Sequence, residues 1–69
     1  MATVDKKLAD EIIANNGHYG DDERVMQVVK YQNRHGGESY AVLYKRDVAI
    51  NRYEASEYVI NPQVIWSAQ

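Results

Sequence analysis

The sequence contains no cysteine and only one proline. Without cysteine, a disulfide framework and a thiolate metal site are both excluded. The sequence also lacks an apolar run typical of a signal peptide or a membrane span, because Met1–Lys7 leads directly into a polar helix. We therefore expect a cytoplasmic protein with no membrane association.

The chain is short, and its length limits the core. Its 69 residues predict a single domain over residues 1–69, and a domain of this size buries only about 60% of its unfolded surface. Such a chain usually depends on a metal, disulfides, a partner subunit or very regular packing. A composition of 45% hydrophobic and 26% charged residues is ordinary for a folded domain. We expect self-association, most simply a homodimer, or a protein partner.

The first element predicted is an amphipathic helix over Val4–Asn16. Thr3 or Asp5 can cap it, and Gly17 suits the left-handed position after its end. Its apolar residues recur at intervals of three and four, as one helix face requires. They are Val4, Leu8, Ala9, Ile12 and Ile13. The following residues, 18–23, are predicted as a loop because they combine glycine and acidic residues without apolar periodicity.

Three strands are predicted next, as an antiparallel meander. The strands are Arg24–Gln32, Ser39–Lys45 and Val48–Tyr53, with Ser39–Lys45 in the centre. The run Asn33–Gly37 is a strong turn signal, because its glycines allow the positive φ of a tight hairpin. A second turn, at Arg46-Asp47, contains no glycine, so its register is less well determined.

A loop over Arg34–Gly37 fixes the predicted register of the first hairpin. Val28 then lies opposite Leu43, and Tyr31 lies opposite Tyr40. The pairing gives the sheet two unlike faces. The aliphatic face, against the helix, would contain Met26, Val28, Ala41, Leu43, Val48 and Ile50. The opposite face would contain Val25, Val29, Tyr31, Tyr40, Val42, Tyr44 and Tyr53.

The tail Glu54–Trp66 is apolar in its second half. Asn61-Pro62 is a favourable start for a short helical turn, whereas Val64–Trp66 could form a strand instead. The predicted fold is therefore α+β, with an N-terminal helix packed on a three- to four-stranded antiparallel sheet. The order is α-β-β-β, followed by an apolar C-terminal strand or short helix.

The tyrosine-rich face is the predicted interaction surface, because tyrosine suits contacts that are apolar on one side and wet on the other. Its predicted members are Tyr31, Tyr40, Tyr44, Tyr53, Val29 and Val42. We expect a non-enzymatic protein-interaction module that associates with itself through this face or through a sheet edge. The alternative is that tyrosine simply suits strands and that the tail covers these rings.

Nucleic-acid binding is an alternative function, because aromatic residues on a sheet can stack on bases. Residues 24–53 carry six basic residues against two acidic ones, whereas the flanks carry two basic against eight acidic. The basic candidates are Arg24, Lys30, Lys45, Arg46 and Arg52. In the predicted register all of them except Arg46 point away from the tyrosines, and acidic flanks repel phosphate. This function is therefore the less favoured one.

No catalytic or cofactor site is predicted. The acidic run Asp21–Glu23 lacks the alternate spacing of a calcium loop and is better explained as a solvated turn. His18 and His35 stand alone in glycine-containing segments, without a second metal ligand or a nucleophile arrangement nearby. The chain also has no phosphate-binding glycine loop. We expect no enzymatic activity, no metal and no cofactor.

Two segments carry a resemblance to known sequences. They are Asn51–Trp66 and His18–Val25, which together cover about half of the chain. In these segments the sequence resembles small uncharacterised bacteriophage or prophage proteins. The resemblance implies a bacterial or phage cytoplasmic origin and a dispensable accessory role. It implies no mechanism and no functional residues.

Overall fold

The computed structural model describes residues 2–19, 23–45 and 60–68. Within them, strands β1, β5, β4 and β6 form an antiparallel sheet in that order, and β2 pairs with β3 in a separate hairpin. The elements in chain order are β1 (Ala2–Val4), α1 (Lys6–Ala14), β2 (His18–Tyr19), β3 (Glu23–Arg24), β4 (Gln27–Gln32), β5 (Glu38–Leu43) and β6 (Ile60–Ser67). The predicted α+β class is confirmed.

The helix is shorter at both ends than its predicted bounds. It begins at Lys6 because Asp5 is the N-cap, in an extended conformation, and its Oδ1 accepts a 2.8 Å hydrogen bond from the Leu8 amide. Val4 lies in β1 opposite Tyr40, not in the helix. After Ala14 the chain leaves the helix through Gly17, whose φ of 90° is the left-handed conformation that the sequence predicts.

The predicted loop over residues 18–23 is wrong in part. His18 pairs with Arg24 and Tyr19 pairs with Glu23, so the two ends of this segment form a small antiparallel hairpin. Each strand is only two residues long, which is too short to produce an alternating pattern in the sequence. Glu23–Arg24 is a strand of its own, β3. The predicted strand Arg24–Gln32 therefore begins later, at Gln27.

The hairpin between β4 and β5 forms where the sequence predicts it, but its predicted register is wrong by one residue. Val28 lies opposite Val42, not opposite Leu43. The Asn33 amide donates to the Gly37 carbonyl oxygen at 2.8 Å, and this bond closes a loop of three residues instead of the predicted four. Gly36, at φ 84°, supplies the left-handed residue that such a loop requires.

Strand β5 has neighbours on both sides, but one of them differs from the prediction. It pairs with β4 as expected, and its other edge pairs with β1 through the backbone of Ala2, Thr3 and Val4. The sequence assigned that second position to Val48–Tyr53. That segment, which includes Ile50 and Tyr53, lies outside the described residues, and so does the turn at Arg46-Asp47.

The tail follows the second of its two predicted alternatives. Ile60–Ser67 is a strand, β6, antiparallel to β4, so the helical turn starting at Asn61-Pro62 is wrong. Asn61 has a φ of 51°, a left-handed value that does not begin a right-handed helix.

The centre of the sheet is buried on both faces. One face contributes to a cluster that also includes Ala9 and Ile12 of the helix and is flanked by Trp66. The sheet and loop members of this cluster are Val4, Val25, Val28, Tyr40 and Val42. The alternating residues Val29, Ala41 and Leu43 project to the other face and are also fully buried. The predicted division of these residues into an aliphatic and a tyrosine face is therefore wrong.

Candidate interaction edge

Strand β6 forms one edge of the four-stranded sheet, in the strand order of the described residues. It lies antiparallel to β4, with Trp66 opposite Val28 and Val64 opposite Val29. Its eight residues face only six in β4, because the register shifts once between Val28 and Val29 and once between Lys30 and Gln32. Such bulges increase the twist of a strand and interrupt its hydrogen-bond ladder.

The C-terminal half of β6 is fixed to the rest of the domain. The Ala68 amide donates to the Met26 carbonyl oxygen at 2.8 Å. Trp66 is half-buried, and its indole packs against the core cluster and over Gly17. The same glycine accepts a 2.8 Å hydrogen bond from the Val25 amide. These contacts anchor the strand, and no other described strand lies on its outer side.

Large apolar side chains on this strand are exposed. Ile60, Val64 and Ile65 are 40%, 44% and 42% exposed, and they are the exposed large hydrophobic residues of the described part of the chain. The sequence from residue 58 to residue 69 contains no charged side chain and no histidine. We define the β6 edge as the outer side of Ile60–Ser67 together with these three side chains.

The predicted tyrosine-rich interaction surface is not formed by the described residues. Tyr31 projects to one face of the sheet and Tyr40 to the other, because the register is shifted by one residue. Tyr40 is buried in the core cluster, and Tyr44 packs against that cluster. Val29 and Val42 are fully buried and cannot contact a partner. Tyr53 lies outside the described residues.

The basic residues proposed for nucleic-acid binding are dispersed. The Lys30 Nζ atom lies 3.8 Å from the Glu38 Oε1 atom. The Arg24 Nε donates to the Asn16 carbonyl oxygen at 3.3 Å, on the side of the domain where the helix ends. Lys45 is exposed beyond β5, and Arg46 and Arg52 lie outside the described residues. The described cations therefore do not form one continuous basic surface with aromatic rings.

A shallow polar groove lies where the β4–β5 hairpin meets the start of β6. Its volume is about 330 Å³, and its lining includes Lys30, Gln32, Glu38, Asn61 and Gln63. The Glu38 carboxylate contacts Tyr40 as well as Lys30, because its Oε2 accepts a long hydrogen bond of 3.4 Å from the Tyr40 hydroxyl. The cation and the carboxylate in the groove are thus directed at each other, not at a common ligand position.

The described residues contain no group of three or more histidine or acidic side chains that could hold a metal ion. His18 and His35 are exposed and lie in different hairpins. Of the acidic run predicted as a solvated turn, Asp21 and Asp22 lie outside the described residues. In the same part of the chain no helix is long and apolar enough to cross a membrane.

One ion pair on the helix surface shifts a pKa. The Lys6 ammonium donates a 2.9 Å hydrogen bond to the Asp10 carboxylate one turn later. This hydrogen bond, and then the charge of Asp10, raise the pKa of Lys6 above its ordinary value of 10.5. Both side chains are exposed, so the pair is a solvated feature of the helix face.

In comparisons with known proteins, no family model, no curated protein and no solved structure matches this chain. The candidate site therefore depends on geometry and chemistry alone.

A strand at Val64–Trp66 was one of two alternatives predicted for the tail, and it was not singled out as the interaction surface. A signal was present, because twelve consecutive residues without charge are unusual in a chain in which 26% of residues are charged. The exposure of Ile60, Val64 and Ile65 depends on β6 lying at the end of the strand order. A pairing between distant segments decides that position, and local pattern does not reveal it.

Proposed function

We propose that this chain is a non-enzymatic protein-interaction module that associates with itself through the β6 edge. The observation that carries the proposal is a terminal strand with three exposed aliphatic side chains and no charged residue. It replaces the tyrosine face with the second surface that the sequence predicted, a sheet edge.

An edge strand presents N–H and C=O groups that can pair with another strand. Proteins that remain monomeric usually protect such edges with charged side chains, especially lysine, or with proline and bulges. The β6 edge has Pro62 and two bulges but lacks the charges. This combination favours a short, specific contact over open-ended aggregation.

The size of the domain supports the same function. A domain of 69 residues buries a modest core, and association removes further apolar surface from water. A lasting interface usually buries about 800 Å² on each partner. One short edge supplies less than this, so we expect a weak, concentration-dependent dimer with a dissociation constant on the order of micromolar.

The test of this proposal compares two lysine substitutions by size-exclusion chromatography with light scattering. Ile65→Lys places a charge on the β6 edge, and we expect it to shift the mass toward that of the 7.9 kDa monomer. Ala14→Lys adds the same charge at the exposed end of α1 and should keep the wild-type mass. Equal masses for the two variants and the wild type would remove the support for the β6 edge.

The cytoplasmic location and the phage or prophage accessory role belong to the same proposal. They are supported by the resemblance of Asn51–Trp66 and His18–Val25 to small bacteriophage or prophage proteins. Deletion of the gene in its native host, with growth under laboratory conditions as the readout, tests the accessory role. We expect normal growth.

Nucleic-acid binding is the alternative function. It requires affinity that falls steeply with salt and depends on residues such as Lys45. A gel-shift measurement at low salt decides between the two functions. We expect no shift, because the described cations do not form a continuous surface. A shift that Lys45→Ala abolishes would support the alternative.

A further inference from the structure

The chain contains one Asn-Gly dipeptide, Asn16-Gly17, and no Asp-Gly dipeptide. Asparagine is thermolabile because its side-chain amide can react with the backbone nitrogen of the next residue. Glycine in that next position has no Cβ atom to hinder the reaction and leaves the backbone free to adopt its geometry. The other four asparagines are followed by residues with side chains. Asn16 is therefore the asparagine of this sequence that is most prone to deamidation.

The fold uses the nitrogen of the same glycine to end the helix. This nitrogen donates a 2.9 Å hydrogen bond to the Ile12 carbonyl oxygen, and the Asn16 amide donates a 3.0 Å bond to the Ile13 carbonyl oxygen. Asn16 is left-handed, at φ 56°, so the two bonds form a Schellman motif. Because the attacking nitrogen must first lose its proton to solvent, its hydrogen bond to Ile12 has to open before the reaction begins.

Further contacts hold Gly17 in place. Its carbonyl oxygen accepts a 2.8 Å hydrogen bond from the Val25 amide. The Trp66 indole lies on its other side, so close that an added Cβ atom would be 2.7 Å from Cη2. Gly17 is buried as a result, whereas Asn16 is exposed. The side chain that reacts is thus in water, and the nitrogen that attacks it is not.

We propose that Asn16-Gly17 is a deamidation site that the folded helix end protects, and that it reacts only when this end opens away from Trp66. In the reaction the Gly17 nitrogen forms a bond to the Asn16 Cγ atom. The Cγ–Nδ2 bond breaks, and Nδ2 leaves as ammonia with the proton of the Gly17 amide. Water then opens the cyclic imide at one of its two carbonyl carbons. The products are aspartate and isoaspartate, in which the main chain runs through the side-chain carbon.

The isoaspartate product changes the backbone as well as the charge. It lengthens the main chain by one carbon atom between residues 16 and 17. This position has no free space, because Gly17 is enclosed by the Val25 carbonyl oxygen and the Trp66 ring. The longer chain cannot keep the bond to Ile12 and the contact with Trp66 together. Since deamidation is irreversible, we expect the helix end to stay detached from β6 after the reaction.

The test follows the mass of the proteolytic peptide that carries residue 16, after the full chain has been kept in neutral buffer with or without unfolding urea. Tandem mass spectrometry locates the replacement of the amide by a carboxyl group. We expect the reaction to be at least about tenfold slower in the folded chain, because only molecules with an open helix end react. Equal rates would overturn the protection, and no reaction at Asn16 in urea would overturn the site.

Two variants separate opening of the helix end from unfolding of the whole domain. Trp66→Phe removes the Cη2 and Cζ3 atoms that lie over Gly17. We expect it to raise the rate in the folded chain by about threefold or more and to leave the rate in urea unchanged. Asn33→Ala weakens the distant turn between β4 and β5 and should keep the wild-type rate. Equal acceleration by the two variants would overturn the control of the reaction at Trp66. Circular dichroism shows that both variants fold.

Asn16→Asp is the control for the change of charge, because it reproduces the aspartate product. Aspartate tolerates the left-handed conformation, so this variant should unfold at nearly the wild-type urea concentration. The isoaspartate form, purified by reversed-phase chromatography and refolded, should unfold at a lower urea concentration than Asn16→Asp. Equal unfolding midpoints for the two proteins would overturn the detachment of the helix end.

Discussion

The indole of Trp66 lies so close to Gly17 that the glycine has no space for a side chain. A Cβ atom added to Gly17 would be 2.7 Å from the Trp66 Cη2 atom and 2.6 Å from the Val25 carbonyl oxygen. The end of the helix and the last strand therefore meet at a position where only glycine fits. This contact anchors β6 to the domain on the side of the helix.

The first prediction concerns this contact. We expect Gly17→Ala to lower the free energy of unfolding by about 2–4 kcal/mol, because it adds both a clash and a left-handed alanine. The measurement is urea denaturation followed by the fluorescence of Trp66.

Gly36→Ala is the control for that prediction. Gly36 has a similar φ of 84°, but an added Cβ would have no atom within 4 Å. Gly36→Ala should therefore lower the free energy of unfolding only by the cost of a left-handed alanine, about 1–2 kcal/mol. Equal costs at the two positions would mean that the contact with Trp66 contributes nothing.

The second prediction concerns the start of the helix. Asp5→Ala removes the acceptor for the Leu8 amide, and we expect a loss of about 1 kcal/mol. In a domain of this size that corresponds to a drop of about 4–8 °C in the melting temperature. Asp5→Ser retains a capping oxygen and should melt close to the wild type. If the cap contributed nothing to stability, the wild type, Asp5→Ala and Asp5→Ser would all have the same melting temperature.

The third prediction concerns the turn between β4 and β5. The Asn33 side chain accepts hydrogen bonds from the amides of His35 and Gly37 and donates one to the Ser39 hydroxyl. Asn33→Ala should cost about 1–2 kcal/mol, because it removes all three bonds. Asn33→Asp keeps the two accepted bonds and should cost less. Thermal melts that rank the two variants in the opposite order would contradict this account of the turn.

The fourth prediction tests the observed register of the hairpin. Tyr40 is buried in the core cluster, whereas Tyr31 is half-buried on the other face. Tyr40→Ser should cost about 3–5 kcal/mol, as expected for removal of a buried aromatic ring, and Tyr31→Ser about 1 kcal/mol. Under the register predicted from sequence, both rings would share one exposed face. Small and equal losses of stability for the two variants would favour that register.

The comparison with the sequence separates local signals from distant ones. Asp5 was one of two predicted caps, beside Thr3, and the left-handed Gly17 was predicted directly, because both features act within a few residues of the chain. The position of the turn at Asn33–Gly37 was predictable for the same reason. The length of that loop was not predictable, because the glycine pair suits loops of three or four residues. A difference of one residue moves every side chain of β4 to the opposite face of the sheet relative to β5.

The order of the strands was beyond local pattern. β1 has only three residues and pairs with the distant strand β5, in the position predicted for Val48–Tyr53. β6 lies beside β4, and the residues that pair are 28 (Gln32 and Ile60) to 40 (Gln27 and Ser67) positions apart in the sequence. The candidate edge follows from that order. The sequence therefore indicated a sheet edge as one possible surface without identifying the strand.

The measurement that tests the central claim most directly is the solution mass of the unmodified chain by sedimentation equilibrium, over a concentration series that spans the micromolar range. We predict a reversible shift from the 7.9 kDa monomer to a species of twice that mass as concentration rises, with nothing larger. A mass of 7.9 kDa at every concentration would contradict self-association through the β6 edge.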